Sequence, residues 1–197
     1  MQLVDIGVNL THPSFAGDRQ ALLQRAQAAG VEQLVLTGTS LADNEQAHAL
    51  CLELDDTASR LFCTAGIHPH YSAQWQPSQA AQLAEQLSQP RVRAVGECGL
   101  DFYRDLAPRP QQEAALCAQL ELAASLGKRV DMHCDESDAP LSRHVETLAN
   151  ETQRLGLHGR DGRGAGGAVP AGVSVRGAAG VARGVGSVST PAARLTT

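Results

Sequence analysis

From the first residues to about Gly156, short apolar runs alternate with stretches of helical length, and no other feature constrains the fold of this chain as strongly. Leu3 to Val8, Gln33 to Thr37, Leu61 to Ala65, Arg91 to Val95 and Arg129 to His133 read as strands. Between or after them lie Phe15 to Ala29, Ala42 to Leu54, Ser78 to Leu87, Pro110 to Leu126 and Ala139 to Leu155, rich in Ala, Leu, Gln and Glu, which favour helix. Gly30 and Gly127 stand just past two of these stretches, where helices stop. Strand-helix units in series imply a parallel sheet with helical crossovers. A doubly wound sheet satisfies five such units, whereas an eight-stranded barrel takes about 250 residues.

The alternation breaks abruptly, so the chain divides into a folded region at 1–156 and a Gly/Ala/Arg-rich tail at 157–197. Glycine recurs there too often for a stable helix, neither period is sustained, and the tail is expected to be disordered. Arg163, Arg176, Arg183 and Arg194 lack the interleaved aromatics of a nucleic-acid tether. This composition is what GC-rich DNA encodes out of frame, and a shifted frame or aberrant join is the favoured reading.

With 197 residues, 43% of them hydrophobic, the chain is long enough for one real core. Its 16 basic and 21 acidic side chains give a formal net charge of -5, against a broad basic face that grips phosphates by charge alone. Any nucleic-acid role must be built locally. The opening Met1-Gln2-Leu3-Val4-Asp5 is not a secretory leader, and no stretch of about 18 apolar residues occurs, so no membrane contact and a cytoplasmic location are expected. Five cysteines without a Cys-x-x-Cys pair fit reduced thiols.

The chemistry-bearing residues cluster at strand ends, where α/β barrels place catalytic groups. Asp5 closes the first strand region and reads as a turn or cap residue. Gly66-Ile67-His68-Pro69-His70 follows the third strand; a pair of neutral imidazoles binds a divalent ion, and a protonated pair holds a phosphate. Val95-Gly96-Glu97-Cys98-Gly99-Leu100-Asp101 follows the fourth. A carboxylate between glycines at a buried strand end must be paired or coordinated, which makes Glu97 the first ligand candidate. Asp101 is either an acceptor that orients a ligand or a helix cap. The fifth strand places His133 at the corresponding height, and a Glu-His pair suits a divalent metal that activates water. His12, His48 and His144 have no partner at ligand spacing, and His158 adjoins the tail. No dinucleotide fingerprint, phosphate-cradling Gly-Lys-Ser/Thr loop or Gly-x-Ser-x-Gly turn is present.

Together, DIGVNLTHPSF, the GTSL segment, GIHPHYSAQW and VGECGLDFYRD resemble the TatD family of metal-dependent deoxyribonucleases, in order from about residue 2 to about residue 128. Gly7-Val8-Asn9, where most relatives carry His-x-His, resembles the TatD subgroup proper. The resemblance implies a TIM-like barrel, here incomplete, with divalent ions (Mg, Mn or Zn) activating a water that cleaves DNA or another phosphodiester. It implies Glu97 and His133 as metal ligands, Glu97 as catalytic, and His68 and His70 as substrate-binding residues near the scissile phosphate.

Past His133 the sequence reads Cys134-Asp135-Glu136-Ser137, where family members continue from His-Cys into Arg-Asp. Residues 128 to 160 resemble cytosine deaminase instead, which implies His133 as its metal ligand and Glu136 as its proton shuttle. That family's earlier His-x-His pair has no counterpart in residues 1 to 127. A barrel stopped at five strands exposes two sheet edges, so self-association, low stability, weak metal binding and little turnover are expected. Three functions compete: an impaired TatD-like nuclease, a non-catalytic product of a fused or frameshifted gene, and a deaminase.

Overall fold

The computed structural model describes residues 3–135 and 173–176. Its strands are β1 (Leu3–Val8), β2 (Val31–Leu36), β3 (Leu61–Ala65), β4 (Val92–Asp101), β5 (Arg129–Asp135) and β6 (Val173–Arg176). Between the first five run α1 (Arg19–Ala28), α2 (Leu41–Leu54), α3 (Ala80–Ser88) and α4 (Arg109–Leu126), with a 3-10 turn at Pro69–Gln74. Every neighbouring pair is parallel and the order is β1-β2-β3-β4-β5-β6, without reversal. A doubly wound sheet reverses its strand order at a switch point. This one does not, and its sequential order is that of part of a TIM-like barrel.

Local signals explain most boundaries. Ser40 caps α2 by accepting the Asp43 N–H at 3.2 Å. Gly127 ends α4 in the left-handed conformation, φ 61°. The fourth strand runs six residues beyond the expected Val95, because its glycines adopt a backbone closed to other residues. Gly96 and Gly99 both have φ 144°, and the register with β5 shifts between Val95 and Cys98. A Cβ on Gly96 would lie 2.2 Å from the Asp131 carbonyl oxygen, and one on Gly99 1.9 Å from that of His133. The bulged strand thus carries Glu97 and Asp101 alongside His133.

One strand was not visible in the composition of the tail. Val173–Arg176 forms β6, with Val173 opposite Val130 and Val175 opposite Met132, so the tail is not uniformly without structure. The helix expected over 139–155, and Glu136, lie outside the described residues.

The core lies between β2–β5 and the helices. β3 is buried along its whole length, joined by Leu34, Leu36, Leu83, Leu87, Leu100 and Leu116; each such leucine contributes about 1.5–3 kcal/mol. At the opposite end from the histidines, Arg91 and Asp55 form a buried ion pair, Nη1 to Oδ2 at 2.9 Å. β1 differs: Val4 is 55% and Ile6 46% exposed, and among the described residues the strand pairs on one side only. Cys51, Cys63 and Cys98 are buried free thiols. Among the described residues no helix is long and apolar enough to cross a membrane.

Candidate metal and phosphate site

β3, β4 and β5 deliver their C-terminal ends to one cleft of about 640 Å³, lined by His68, His70, Glu97, Arg104 and His133. Two glutamines of α4 hold the loops in place from behind. Gln119 accepts the Ile67 N–H at 2.7 Å and donates to the Ile67 carbonyl at 3.1 Å, fixing the residue before His68. Gln112 does the same for Asp101, accepting its N–H at 2.8 Å and donating to its carbonyl at 3.3 Å. Both glutamines are fully buried. Gln119→Ala would leave the Ile67 amide group buried without a partner, and is expected to cost about 1–3 kcal/mol by urea unfolding. An unchanged midpoint would mean that the clamp is dispensable.

His68 begins the 3-10 turn. Its backbone N–H donates to the Thr39 carbonyl at 2.8 Å, and its Nδ1 accepts the His70 N–H at 3.2 Å. Burial, only partly offset by the Glu97 carboxylate, pushes its pKa down to about 4, so the ring is neutral. With Nδ1 accepting, the neutral ring carries its proton on Nε2, which stands 3.9 Å from Glu97 Oε2. His68 is therefore built to donate.

Glu97 Oε1 lies 3.3 Å from His133 Nδ1. The other ring nitrogen of His133, Nε2, faces Asp101 Oδ2 at 3.5 Å. Burial opposes charge on His133, but Glu97 and Asp101 outweigh it and its pKa is raised. Asp101 has no exposed surface and accepts from His70 Nε2 at 2.5 Å, Arg104 N–H at 2.8 Å and Arg104 Nη1 at 3.2 Å. Burial acts to raise its pKa, yet these bonds prevail and hold it at about 2. The ionised Asp101 carboxylate accepts the hydrogen bond from His70 Nε2 and so sets the orientation of that ring.

His68, His70 and His133 offer ring nitrogens within 4.8 Å of one another. The hydrogen bonds divide them, because His68 has no spare lone pair while His133 and His70 each face a carboxylate that fixes the ring. Two donors bonded to one ion stand on the order of 3 Å apart, given bonds of about 2.1 Å, and the Glu97–His133 separation fits that spacing. The residues present thus fit a divalent ion between Glu97 and His133, with Asp101 orienting the histidine from behind.

The sites read from sequence meet as follows. Glu97, His133, His68 and His70 converge on one cleft, and Asp101 joins them as an orienting acceptor that also bonds its own loop at Arg104. Sequence reading missed Gln112, Gln119 and Arg104; the amides gave no signal because their partners are backbone groups.

The family model described as TatD related DNase matches residues 4–166, past the point near residue 128 where the motif resemblance ended. The chain is 44% identical over 156 residues to the "3'-5' ssDNA/RNA exonuclease TatD" of Escherichia coli (strain K12), covering 79% of this chain and 58% of that one. It is 47% identical over 139 residues to the protein of the same name in Edwardsiella piscicida, covering 70% and 52%. The chain therefore spans little more than half the length of the curated relatives it matches. Among solved structures, a TatD homologue from Escherichia coli (YJJV) superposes with TM-score 0.63 at 29% identity, covering 82% of this chain and 61% of that one. A TatD family hydrolase from Entamoeba histolytica gives TM-score 0.66 at 24% identity, over 79% and 55%, which supports the fold. The sequential parallel sheet, the histidine-carboxylate cluster at its mouth and the match over residues 4–166 lead to one assignment: this chain belongs to the TatD related DNase family.

Proposed function

We propose that this chain is a TatD-type, metal-dependent hydrolase of phosphodiester bonds in single-stranded DNA or RNA. The observation that carries the reading is the Glu97–His133 pair at 3.3 Å with the His68 and His70 rings packed beside it. In this reading Glu97 and His133 hold the ion, and their oxygen and nitrogen donors suit Mg, Mn or Zn. When bound, such an ion lowers the pKa of water and offsets phosphate charge. His68 Nε2–H donates to a phosphate oxygen, while His70, fixed by Asp101, binds the same group from its neighbouring ring. Glu97 divides its carboxylate, Oε1 toward His133 and Oε2 toward His68.

Two ligands among the described residues fall short of the three usual at a catalytic zinc site, so turnover is expected to be slow. The test is release of nucleotides from a labelled single-stranded oligomer by the purified full chain, with Mn²⁺ and with EDTA. Release that ignores EDTA would sink the reading. Asp101→Asn is expected to weaken Mn²⁺ binding about 10–100-fold by calorimetry, the usual cost of losing a carboxylate that orients a ligand; unchanged affinity would remove it from that role.

The deaminase reading puts the proton shuttle on Glu136 and still lacks an early His-x-His pair; absence of ammonia release from cytosine removes it. The non-catalytic, frameshifted reading is decided by resequencing the codons for 126–197 and translating every frame. The exposed apolar residues of β1 favour self-association through that edge, which sedimentation velocity measures directly.

A further inference from the structure

We propose that the pocket beside the candidate site takes one nucleobase of a single-stranded polynucleotide whose backbone phosphate lies at His68 and His70. The inference rests on the phosphodiester reading and adds to it a base-stacking subsite.

A recess of about 210 Å³ adjoins the main cleft, with Leu41, Ile67, Tyr71 and Trp75 among its walls. Ser40, Tyr71 and Gln74 line both spaces, so a shared wall separates them and a single nucleotide can reach across it. The chain has 3 Phe, 2 Tyr and 1 Trp, and two of these few aromatic rings meet in this one recess. Tyr71 is 42% exposed, an apolar ring left in water at the rim of a polar cleft. Its ring centroid lies 6.5 Å from that of His68, inclined at 66°.

The backbone makes this a fixed arrangement. Pro69–Gln74 forms one 3-10 turn that carries both His70 and Tyr71. Tyr71 N–H donates to the His68 carbonyl at 2.8 Å, Ser72 Oγ donates to the Pro69 carbonyl at 2.7 Å, and Trp75 N–H donates to the Ser72 carbonyl at 3.1 Å. One hydrogen-bonded turn thus carries His70 and Tyr71 and ends at Trp75. Every base has a π face, so stacking on such a platform supplies affinity with little sequence preference, at about 1–3 kcal/mol per base. It also supplies what an acidic chain lacks, a way to hold nucleic acid without a broad basic surface.

The test compares oligo(dT) with an abasic deoxyribose-phosphate oligomer of the same length, bound by the metal-free full chain and read by anisotropy. Trp75, the single tryptophan, serves as an internal fluorescence reporter. The expected result is tighter binding of oligo(dT), with a change in Trp75 emission that the abasic oligomer does not produce. Tyr71→Ala should weaken oligo(dT) binding at least about fivefold and leave the abasic oligomer unaffected, while Tyr71→Phe retains the preference. Equal binding of both oligomers, or a preference indifferent to Tyr71→Ala, overturns the subsite and leaves the hydrolase reading standing. Failure of both oligomers to bind overturns the subsite too, while the hydrolase reading is decided separately by nucleotide release with Mn²⁺ and with EDTA.

Discussion

Arg91→Met is expected to destabilise the chain by about 3–5 kcal/mol in urea unfolding, a loss large enough to unfold many domains of this size. Arg91, just before β4, pairs with Asp55 at the C-terminal end of α2, with side chains 7% and 5% exposed. Asp55 also accepts the N–H groups of Arg60 and Leu61 at 2.8 and 2.9 Å, and Arg91 Nη1 donates to the Leu61 carbonyl at 3.0 Å. Its other terminal nitrogen donates to the Asp55 carbonyl. Taking away the guanidinium leaves a buried carboxylate without its counter-charge, and that uncompensated charge makes up most of the cost. The double variant Asp55→Leu, Arg91→Met should therefore recover part of it. Burial acts to raise the Asp55 pKa, but the N–H donors, Thr57 and Arg91 prevail and hold it well below the usual carboxylate value. A carboxyl depressed in the folded state stabilises fully above its unfolded pKa, near 3.8, and its contribution is lost as pH falls toward the folded value. Wild-type stability should therefore drop below about pH 4, with a shallower drop in the double variant. Equal acid slopes would show that Asp55 does not carry the effect.

Arg91 also shows where sequence reading stops. It falls at the start of an apolar run and reads as a strand residue, and nothing in the local pattern announces a partner 36 positions away. The parallel sheet was legible because each apolar run is separated from the next by a helical stretch, which forces crossovers. The order of its strands was not, since five units fit a doubly wound sheet as well as a barrel; the family resemblance pointed to the barrel, and the pairing agrees. β4 was read short because Gly96 and Gly99 look like a strand end, whereas they permit the bulge that carries the strand onward. β6 was missed because four residues of alternating Val and polar side chains carry too little pattern within a glycine-rich tail. Glu97 and His133 were legible as candidates because a charge at a buried strand end has few other uses. The depth of Asp101, and the amide clamps of Gln112 and Gln119, depend on contacts between elements that periodicity does not record.

Glu97→Gln should abolish the proposed Mn²⁺-dependent cleavage, by more than about 100-fold, because it removes a proposed ligand where loss of a mere supporting partner already costs up to that factor. The substitution keeps the side chain's size and its capacity to accept from His133, so the change isolates charge. Glu97 is only 14% exposed and approaches two imidazoles, from Oε1 to His133 at 3.3 Å and from Oε2 to His68 at 3.9 Å. A carboxylate so placed gains nothing from packing and pays desolvation unless a cation meets it. Glu97 and Asp101 raise the pKa of His133, and in the proposed site a divalent ion would supply the positive charge that Glu97 faces. The amide cannot serve as the anionic ligand, so Mn²⁺ binding by calorimetry should fall together with cleavage, while the unfolding midpoint without metal moves little. Cleavage that survives the substitution would come from a contaminant or from another site. Cleavage lost while Mn²⁺ affinity is kept would make Glu97 a proton carrier, leaving the ion to ligands other than this carboxylate.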